Sequence, residues 1–251
     1  MYRTEGIVLR TRNLGEADKI VTLYTKTNGK VVAVARGARR IRNRLLGPTQ
    51  VFTQGRYLIF TGKTLDTLSQ GEIVNSFQDL REDLDKMAAT MYLSELVDVL
   101  IEPGEASLEI YSLLLNTLKM LSQKQINYAL RVFELRFAKH LGYEPQLNNC
   151  INCNNFPEKA IYFSRQGGVV CDQCRSQLLP VQTISRGTWE LAKRILAWDW
   201  SRISILHPSE QSLSELEACM RAFYDYRLDK PLQSLDFIHT LKEFSPPEVK
   251  N

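Results

Sequence analysis

Two pairs of cysteines constrain the fold of this chain more than any other feature. The pairs have the spacing C-x2-C-x17-C-x2-C and consist of Cys150, Cys153, Cys171 and Cys174. Each pair can place two thiolates on one side of a tight turn, and four thiolates complete the tetrahedral coordination of Zn²⁺. Between the pairs, residues 160–170 alternate as a hairpin that turns at Gln166-Gly167-Gly168. The spacing therefore predicts a zinc ribbon that holds one structural zinc ion.

The same four sulfurs argue against a catalytic zinc, because a closed coordination sphere leaves no position for water. We expect the metal to stabilise a segment, at about residues 147–178, that is too polar to fold alone. The fifth cysteine, Cys219, lies in a helical pattern and is expected to be a buried small hydrophobic residue. Metal-binding rather than disulfide-bonded cysteines are typical of a reducing compartment. Without a secretory signal or an apolar run that could span a membrane, the sequence predicts a cytoplasmic protein.

The first 75 residues alternate like β-strands, in short runs rich in β-branched residues. The five runs are residues 6–12, 19–25, 30–36, 50–60 and 65–74. Asn28-Gly29, between the second and third runs, predicts a hairpin with a type I′ turn. Five short strands predict a small closed or nearly closed barrel, for which an OB-fold is the leading interpretation and an SH3-like barrel the alternative.

After residue 78, apolar residues recur every three to four positions, which predicts helices. The apolar stripes begin at Ala89, Leu108 and Ile126, and two later helices are predicted over residues 186–198 and 213–228. Ser212 and Glu215 have the spacing of a capping box at the start of the last helix. The sequence thus predicts an α+β chain with a five-stranded OB-fold barrel followed by an α-helical domain that carries a four-cysteine zinc module.

The predicted domain boundaries follow this change of period. We expect an OB-fold nucleic-acid-binding domain at 1–78 and a helical domain at 79–251, with a disordered tail at 245–251. Charge divides in a similar way, because residues 1–80 hold 13 Lys/Arg against 6 Asp/Glu, whereas residues 81–149 hold 7 against 10. A basic first third indicates that a polyanion binds this part of the chain.

An arginine run carries much of this positive charge. Five arginines fall within residues 36–44, and no acidic residue lies between Asp18 and Asp66. Guanidinium groups fork onto phosphate oxygens and stack on bases, so a flexible loop of arginines at a barrel edge favours single-stranded nucleic acid. The predicted nucleic-acid contacts are Arg10, Arg12, Lys26, Lys30, Arg36, Arg39, Arg40, Arg42 and Arg44.

Aromatic residues of the barrel are candidate stacking platforms. They are Tyr24, Phe52, Tyr57 and Phe60, but at strand spacing each is better explained as barrel core. No catalytic motif accompanies them, since Gly62-Lys63-Thr64 lacks the earlier glycine of a phosphate-binding loop, and neither GxSxG nor HExxH is present. The residues alone leave three alternatives: a DNA-binding repair protein, an RNA-binding OB-fold/zinc protein of translation, and a zinc-dependent enzyme. The closed sulfur site disfavours the last.

Several strings of the sequence also resemble a known family. They are GIVLRTR at 6–12, GEADKIVTLYT at 15–25, GKVVAVARGARR at 29–40, LDTL at 65–68, EIV at 72–74 and GYEP at 142–145. Followed by the cysteine pairs, these strings are similar to the bacterial RecO recombination mediators. The resemblance implies a protein of DNA damage repair that is not an enzyme and contacts DNA chiefly through Arg36, Arg39 and Arg40.

The resemblance also implies partners. Members of this family bind single- and double-stranded DNA, anneal complementary strands and, with RecR and possibly RecF, help RecA replace single-strand-binding protein (SSB).

At about 100° per residue, the third helix places its apolar stripe on the core side. The opposite face is a mixed basic and apolar stripe of Lys124, Tyr128, Arg131, Leu135 and Lys139. Two interpretations of this stripe are open: Tyr128 and Leu135 pack inside the protein while the cations are solvated, or, as the resemblance suggests, the stripe binds the acidic, apolar-ended SSB tail.

Overall fold

The structure is a computed structural model and describes residues 1–123, 125–235 and 237–238. Described residues within Met1–Lys124 and from Leu232 onward form one compact unit, here called the N-terminal unit. Those within Gln125–Pro231 form a second, the ribbon unit. The predicted tail lies outside the described residues, and the predicted domain boundary at residue 78 stays a prediction. No helix in the described part of the chain is long and apolar enough to cross a membrane.

Five strands of the N-terminal unit form a closed barrel in the order β1-β2-β3-β5-β4. The strands are β1 (Tyr2–Leu14), β2 (Asp18–Thr25), β3 (Gly29–Ala35), β4 (Gln54–Phe60) and β5 (Asp66–Asn75). Neighbouring strands are antiparallel except β3 and β5, which are parallel. Alternate residues such as Val8, Leu23 and Ile59 are completely buried inside the barrel. The predicted OB-type barrel is confirmed.

Two local predictions about the barrel are wrong. Thr25 pairs with Gly29, so that the hairpin loop holds three residues rather than the two of a type I′ turn. Gly29 instead starts β3 with a φ of +63°, and an added Cβ would lie 2.2 Å from the main-chain oxygen of Glu105. Residues 50–53 are not a strand either, because Phe52 adopts a φ of +69° and turns its main-chain N–H to the oxygen of Val8.

Three helices complete the N-terminal unit. They are α1 (Asp79–Glu82), α2 (Leu84–Leu100) and α3 (Leu108–Ser122). Asp83 caps α2 by accepting hydrogen bonds from the main-chain N–H groups of Asp85 and Lys86, and Ser107 caps α3 in the same way from Ile110. These side chains satisfy donors that a helix start leaves without partners. The helices at the first two apolar stripes are therefore confirmed.

The ribbon unit combines four helices with a three-stranded antiparallel sheet in the order β7-β6-β8. Its elements are α4 (Ile126–His140), β6 (Ile161–Ser164), β7 (Gly168–Cys171), a 3₁₀ turn (Arg175–Gln177), β8 (Val181–Ile184), α5 (Arg186–Ala197), α6 (Trp200–Ile203) and α7 (Glu210–Asp225). Helix α4 packs against both α5 and α7. The predicted hairpin between the cysteine pairs is confirmed as β6 and β7.

The capping prediction for α7 is wrong. Ser209, not Ser212, caps this helix, because its hydroxyl accepts the main-chain N–H of Ser212 at 3.2 Å. The Glu215 carboxylate instead accepts the main-chain N–H of Ser185 at 2.7 Å and the hydroxyl of Thr188 at 2.5 Å. Glu215 therefore stabilises the start of α5 from a neighbouring helix, a contact that sequence spacing cannot reveal.

Candidate nucleic-acid interface and metal centre

The four paired cysteines converge on one point of the ribbon unit. Their sulfurs all lie within 4.8 Å of one another, and the sulfurs of Cys153 and Cys171 are 3.7 Å apart. A tetrahedral ion about 2.3 Å from each sulfur needs sulfur pairs about 3.8 Å apart. Tight turns aim each pair inward, since Asn154 N–H donates to the Cys150 oxygen at 2.9 Å and Cys174 N–H to the Cys171 oxygen at 3.2 Å. The donor set and its spacing fit a metal ion.

The electrostatics of this cluster also fit a cation. Burial raises the pKa of the Cys150 thiol, but N–H donors from Cys153, Cys171 and Asn152 outweigh burial and lower that pKa to about 6. Burial and hydrogen bonding among the sulfurs raise the pKa of Cys171 to about 12. Cys150 is therefore favoured as a thiolate and Cys171 as a thiol, and a bound cation would favour the thiolate form of both.

The surroundings of the cysteines are those of a packed core. Tyr162 and Val170 are buried against Cys150, Cys171 and Cys174. The amide of Asn152 donates a hydrogen bond to the Cys174 sulfur at 3.3 Å, which would hold that sulfur in place. Cys219 is 1% exposed in α7, as predicted for a small hydrophobic residue, and burial raises its pKa to about 12.

The arginine loop, defined as residues 36–44, follows β3 at the edge of the barrel. It is a series of hydrogen-bonded turns rather than a flexible segment: Arg40 N–H donates to the Gly37 oxygen and Asn43 N–H to the Arg40 oxygen, both at 2.9 Å. Asp18 fixes its start by accepting the Gly37 N–H at 2.7 Å. All five arginine side chains are exposed. The loop therefore presents its charge to solvent from an ordered backbone.

The other predicted basic contacts differ in their environment. Arg12 and Lys26 are exposed. Within the arginine loop, Arg39 donates to the main-chain oxygens of Gly15 and Glu16, both at 3.0 Å, and these bonds anchor its side chain beside the β1–β2 turn.

Two of the predicted contacts share a partner in α2. Asp98 pairs with Arg10 at 3.1 Å and with Lys30 at 3.7 Å. The side chain of Arg10 remains 54% exposed, whereas that of Lys30 is only 11% exposed. The ammonium of Lys30 is thus already engaged inside the N-terminal unit, and its contact with nucleic acid stays a prediction.

The barrel aromatics are mainly core, as their spacing favoured. Tyr24, Phe52 and Tyr57 are at most 1% exposed, whereas Phe60 is 43% exposed. Sequence reasoning missed Ile41, which is 91% exposed in the middle of the arginine loop. It also missed an open groove of about 510 Å³ on β1, β4 and β5, whose basic lining residues are Arg3 and Arg56. Glu5 and Glu72 also line this groove, and Arg56 pairs with Glu72 at 3.7 Å, so the charge of the groove is mixed.

The stripe predicted for α4 is not a docking surface. Tyr128, Arg131 and Leu135 are at most 5% exposed, because α4 lies among α5 and α7 and is covered on both faces. Tyr128 donates its hydroxyl hydrogen to the Ile203 oxygen at 3.1 Å. Lys139 is exposed and pairs with Glu144 at 2.9 Å, while Lys124 lies outside the described residues. The alternative, in which Tyr128 and Leu135 pack inside, is confirmed.

Comparison with known proteins matches two family models to separate parts of the chain. A family model described as "Recombination protein O N terminal" matches residues 1–77, and one described as "Recombination protein O C terminal" matches residues 81–236. The DNA repair protein RecO of Symbiobacterium thermophilum is 40% identical, over 96% of this chain and 98% of the relative. That of Pelotomaculum thermopropionicum is 35% identical, over 95% and 93%. This chain, with its barrel, helices and cysteine cluster, belongs to the RecO family of DNA repair proteins.

Proposed function

We propose that this chain is a non-enzymatic DNA-binding protein of recombinational repair. It anneals complementary strands and, together with RecR, helps to load RecA onto SSB-coated single-stranded DNA. The observation that carries the proposal is the arginine loop, which presents five exposed guanidinium groups from ordered turns at the edge of an OB-type barrel. Membership of a family of DNA repair proteins supports DNA as the nucleic acid.

The arginine loop would act on phosphates rather than on base identity. Arg36, Arg40, Arg42 and Arg44 form no ion pair with any described residue, so their charge is available to a polyanion. Guanidinium groups bind phosphate oxygens in a bidentate manner and release condensed counterions, which favours binding without sequence preference. Neutralising phosphates also lowers the repulsion between two complementary strands, which is the electrostatic barrier to annealing.

The cysteine cluster is proposed to hold one structural Zn²⁺ through Cys150, Cys153, Cys171 and Cys174. The metal would join the turn before β6 to the end of β7 and so stabilise the ribbon. Four sulfur ligands leave no place for a substrate or a reactive water, so the proposed role is in folding alone.

The acidic tail of SSB remains a proposed partner, as do RecR and RecF. A docking surface for this tail needs exposed cations to attract its carboxylates and an accessible apolar pocket for its end. The buried face of α4 offers neither, so the tail is proposed to bind elsewhere on the chain.

The salt dependence of DNA binding tests the proposal. A triple variant with Arg40→Ala, Arg42→Ala and Arg44→Ala should bind all single-stranded sequences more weakly. Its plot of log affinity against log salt should flatten by about 0.7 for each lost phosphate contact, or about 2 in total. The charge-matched control replaces three exposed cations elsewhere, Lys119, Lys159 and Arg186, with alanine.

Two outcomes would contradict the proposal. One is an equal slope for the arginine-loop variant, the control and the unchanged protein, which would mean that the loop is only solvated. The other is failure of the unchanged protein to accelerate annealing of SSB-coated complementary oligonucleotides. Competition with RNA of the same sequence at fixed salt separates the RNA-binding alternative, because only RNA presents the 2′-hydroxyl group.

A further inference from the structure

A second group of aromatic and arginine side chains lies at the tip of the zinc ribbon. We call it the ribbon-tip cluster; it consists of Tyr143, Arg165, Phe223, Tyr226 and Arg227. Tyr143 follows α4, Arg165 lies in the turn between β6 and β7, and the others belong to the end of α7 or follow it. All five residues lie within the ribbon unit.

The members of the ribbon-tip cluster stack on one another. The guanidinium carbon of Arg227 lies 3.5 Å from the centre of the Phe223 ring, 5.2 Å from that of Tyr143 and 5.8 Å from that of Tyr226. The guanidinium carbon of Arg165 lies 4.8 Å from the centre of the Tyr226 ring. The two guanidinium groups and three aromatic rings thus form four cation–π contacts.

Arg227 holds this arrangement in place. Its guanidinium donates to the main-chain oxygens of Arg165, Gln166 and Phe223 at 2.8, 2.8 and 2.9 Å. Gly167 turns the hairpin with a φ of +101°, and an added Cβ would lie 2.9 Å from the Phe223 ring. The hairpin tip is therefore fastened to α7, and the cluster is preformed, which reduces the ordering cost of binding.

The outer members of the cluster are accessible. Tyr143 is 54% and Tyr226 is 51% exposed, and Arg165 is exposed as well. Fastening the hairpin does not require these two rings, because Phe223 already packs directly on Arg227. Exposed tyrosine rings combined with arginines are the components of sequence-tolerant single-strand binding, in which bases stack on rings and cations attract the backbone.

The carboxylates next in sequence to the two exposed tyrosines are each paired with a cation. Glu144 pairs with Lys139 at 2.9 Å, and Asp225 lies 4.0 Å from the guanidinium of Arg221. These pairs neutralise the carboxylates closest in sequence to Tyr143 and Tyr226, while Arg165 and Arg227 add positive charge. An anionic strand is therefore attracted to this surface, whereas a purely apolar partner gains nothing from the arginines.

We propose that the ribbon-tip cluster binds the bases of a second DNA single strand while the arginine loop holds the phosphates of the first. This inference rests on the proposed annealing function and gives it a second binding site, which nothing in the sequence patterns had indicated. Two sites on one chain convert the meeting of two strands into an event at high effective concentration. Since stacking is sequence-tolerant, the second strand can shift until complementary bases meet.

Energy transfer between two labelled oligothymidylates tests the proposal. One strand carries a donor dye and the other an acceptor, and they cannot pair with each other, so transfer reports both strands on one protein. The measurement uses the full chain at concentrations where sedimentation detects single chains. The variant is Tyr143→Ala with Tyr226→Ala, and its matched control is Tyr143→Phe with Tyr226→Phe, which keeps both rings. Arg186→Ala removes an exposed cation of the same unit away from the cluster.

The alanine pair should bind the first strand within about twofold of the unchanged protein and the second at least about tenfold more weakly. The phenylalanine pair and Arg186→Ala should retain both strands. The proposal is overturned if the alanine double variant binds the second strand as tightly as the unchanged protein does. It is also overturned if the unchanged protein binds only one strand. An unchanged protein that binds neither strand overturns the proposed function as well.

A second variant keeps the test decisive if the alanine pair loses its metal or its helical circular dichroism. Arg165→Ala removes an exposed guanidinium from a turn while its main-chain oxygen still accepts from Arg227. This variant should lower second-strand affinity by about threefold, and unchanged affinity overturns the proposal.

Discussion

Lys30 on β3 is bonded to Asp98 on α2 through two different groups. Its ammonium donates to the main-chain oxygen of Asp98 at 2.5 Å and lies 3.7 Å from a carboxylate oxygen of the same residue. Asp98 lies in the last turn of α2, where a cation also interacts favourably with the helix dipole. One of the charges that makes the first third of the chain basic is therefore used to attach a helix to the barrel.

Replacing Lys30 should affect stability rather than DNA binding. Lys30→Met removes both contacts and leaves Asp98 with Arg10 alone, so the free energy of unfolding should fall by about 1–2 kcal/mol. The slope of DNA affinity against salt should stay unchanged. The matched variant Lys26→Met, at an exposed position, should show the opposite behaviour. Denaturant unfolding and salt titration check both, and a flattened slope for Lys30→Met would show that the ion pair opens to bind DNA.

Removal of one paired cysteine should release the metal. We expect about one zinc ion per chain in the unchanged protein and none in Cys171→Ser, because three sulfurs and a hydroxyl bind zinc weakly. The variant should also lose protection of residues 147–178 from proteolysis, since metal binding contributes directly to folding here. Cys219→Ala, which changes a buried cysteine outside the cluster, should keep its zinc. Metal analysis that finds no zinc in the unchanged protein would contradict the assignment.

The strands, the helices and the cysteine cluster could be predicted from the sequence because each depends on short-range pattern. Alternation of residues such as Val31 and Ala33 with partly exposed neighbours specifies β3, and paired cysteines specify a turn whatever surrounds it. The predicted two-residue turn at Gly29 is wrong in detail, because the close approach of Glu105 from a distant loop helps to determine the shape of the observed hairpin loop.

Exposure of charged residues could not be predicted, since it depends on which elements cover them. Arg42 and Arg131 are equivalent in a charge count, yet Arg42 is exposed and Arg131 is 5% exposed beside Glu134. The ribbon-tip cluster could not be predicted from the sequence for the same reason. Its aromatic and arginine members come from three separate parts of the chain, which only the folded ribbon brings together.

The Glu215 carboxylate should make stability depend on pH. Burial would raise the pKa of Glu215, but hydrogen bonds from Thr188, Ser185 and Gln211 outweigh burial and lower it. Because folding lowers this pKa, the stabilisation is present above the unfolded value of about 4.3 and is lost as the pH falls through the folded value.

Replacing Glu215 with glutamine isolates the contribution of its carboxylate to the free energy of unfolding. At about pH 7, Glu215→Gln should unfold with a free energy about 1 kcal/mol lower than the unchanged protein. The difference should shrink towards zero below about pH 4, where the carboxyl group is protonated and resembles the amide. Glu158→Gln, at an exposed position, should show no such change. Urea unfolding across this pH range checks the prediction, and a difference that is constant with pH would contradict it.

The buried pair of Arg131 and Glu134 gives the sharpest test of how α4 is placed. Their side chains are 6% and 1% exposed, with the Arg131 guanidinium 3.0 Å from the Glu134 carboxylate. Arg131→Glu would leave two carboxylates where neither is solvated, and the ribbon unit should lose about 3–5 kcal/mol of stability. The double variant Arg131→Met with Glu134→Leu removes both charges and should recover most of that loss, because apolar residues of similar volume replace a buried pair at little cost.

If α4 instead exposed this face, Arg131→Glu would unfold like the unchanged protein and the double variant would gain nothing. Denaturant unfolding of the three proteins, followed by tryptophan fluorescence from Trp189 and its neighbours in the ribbon unit, separates these outcomes.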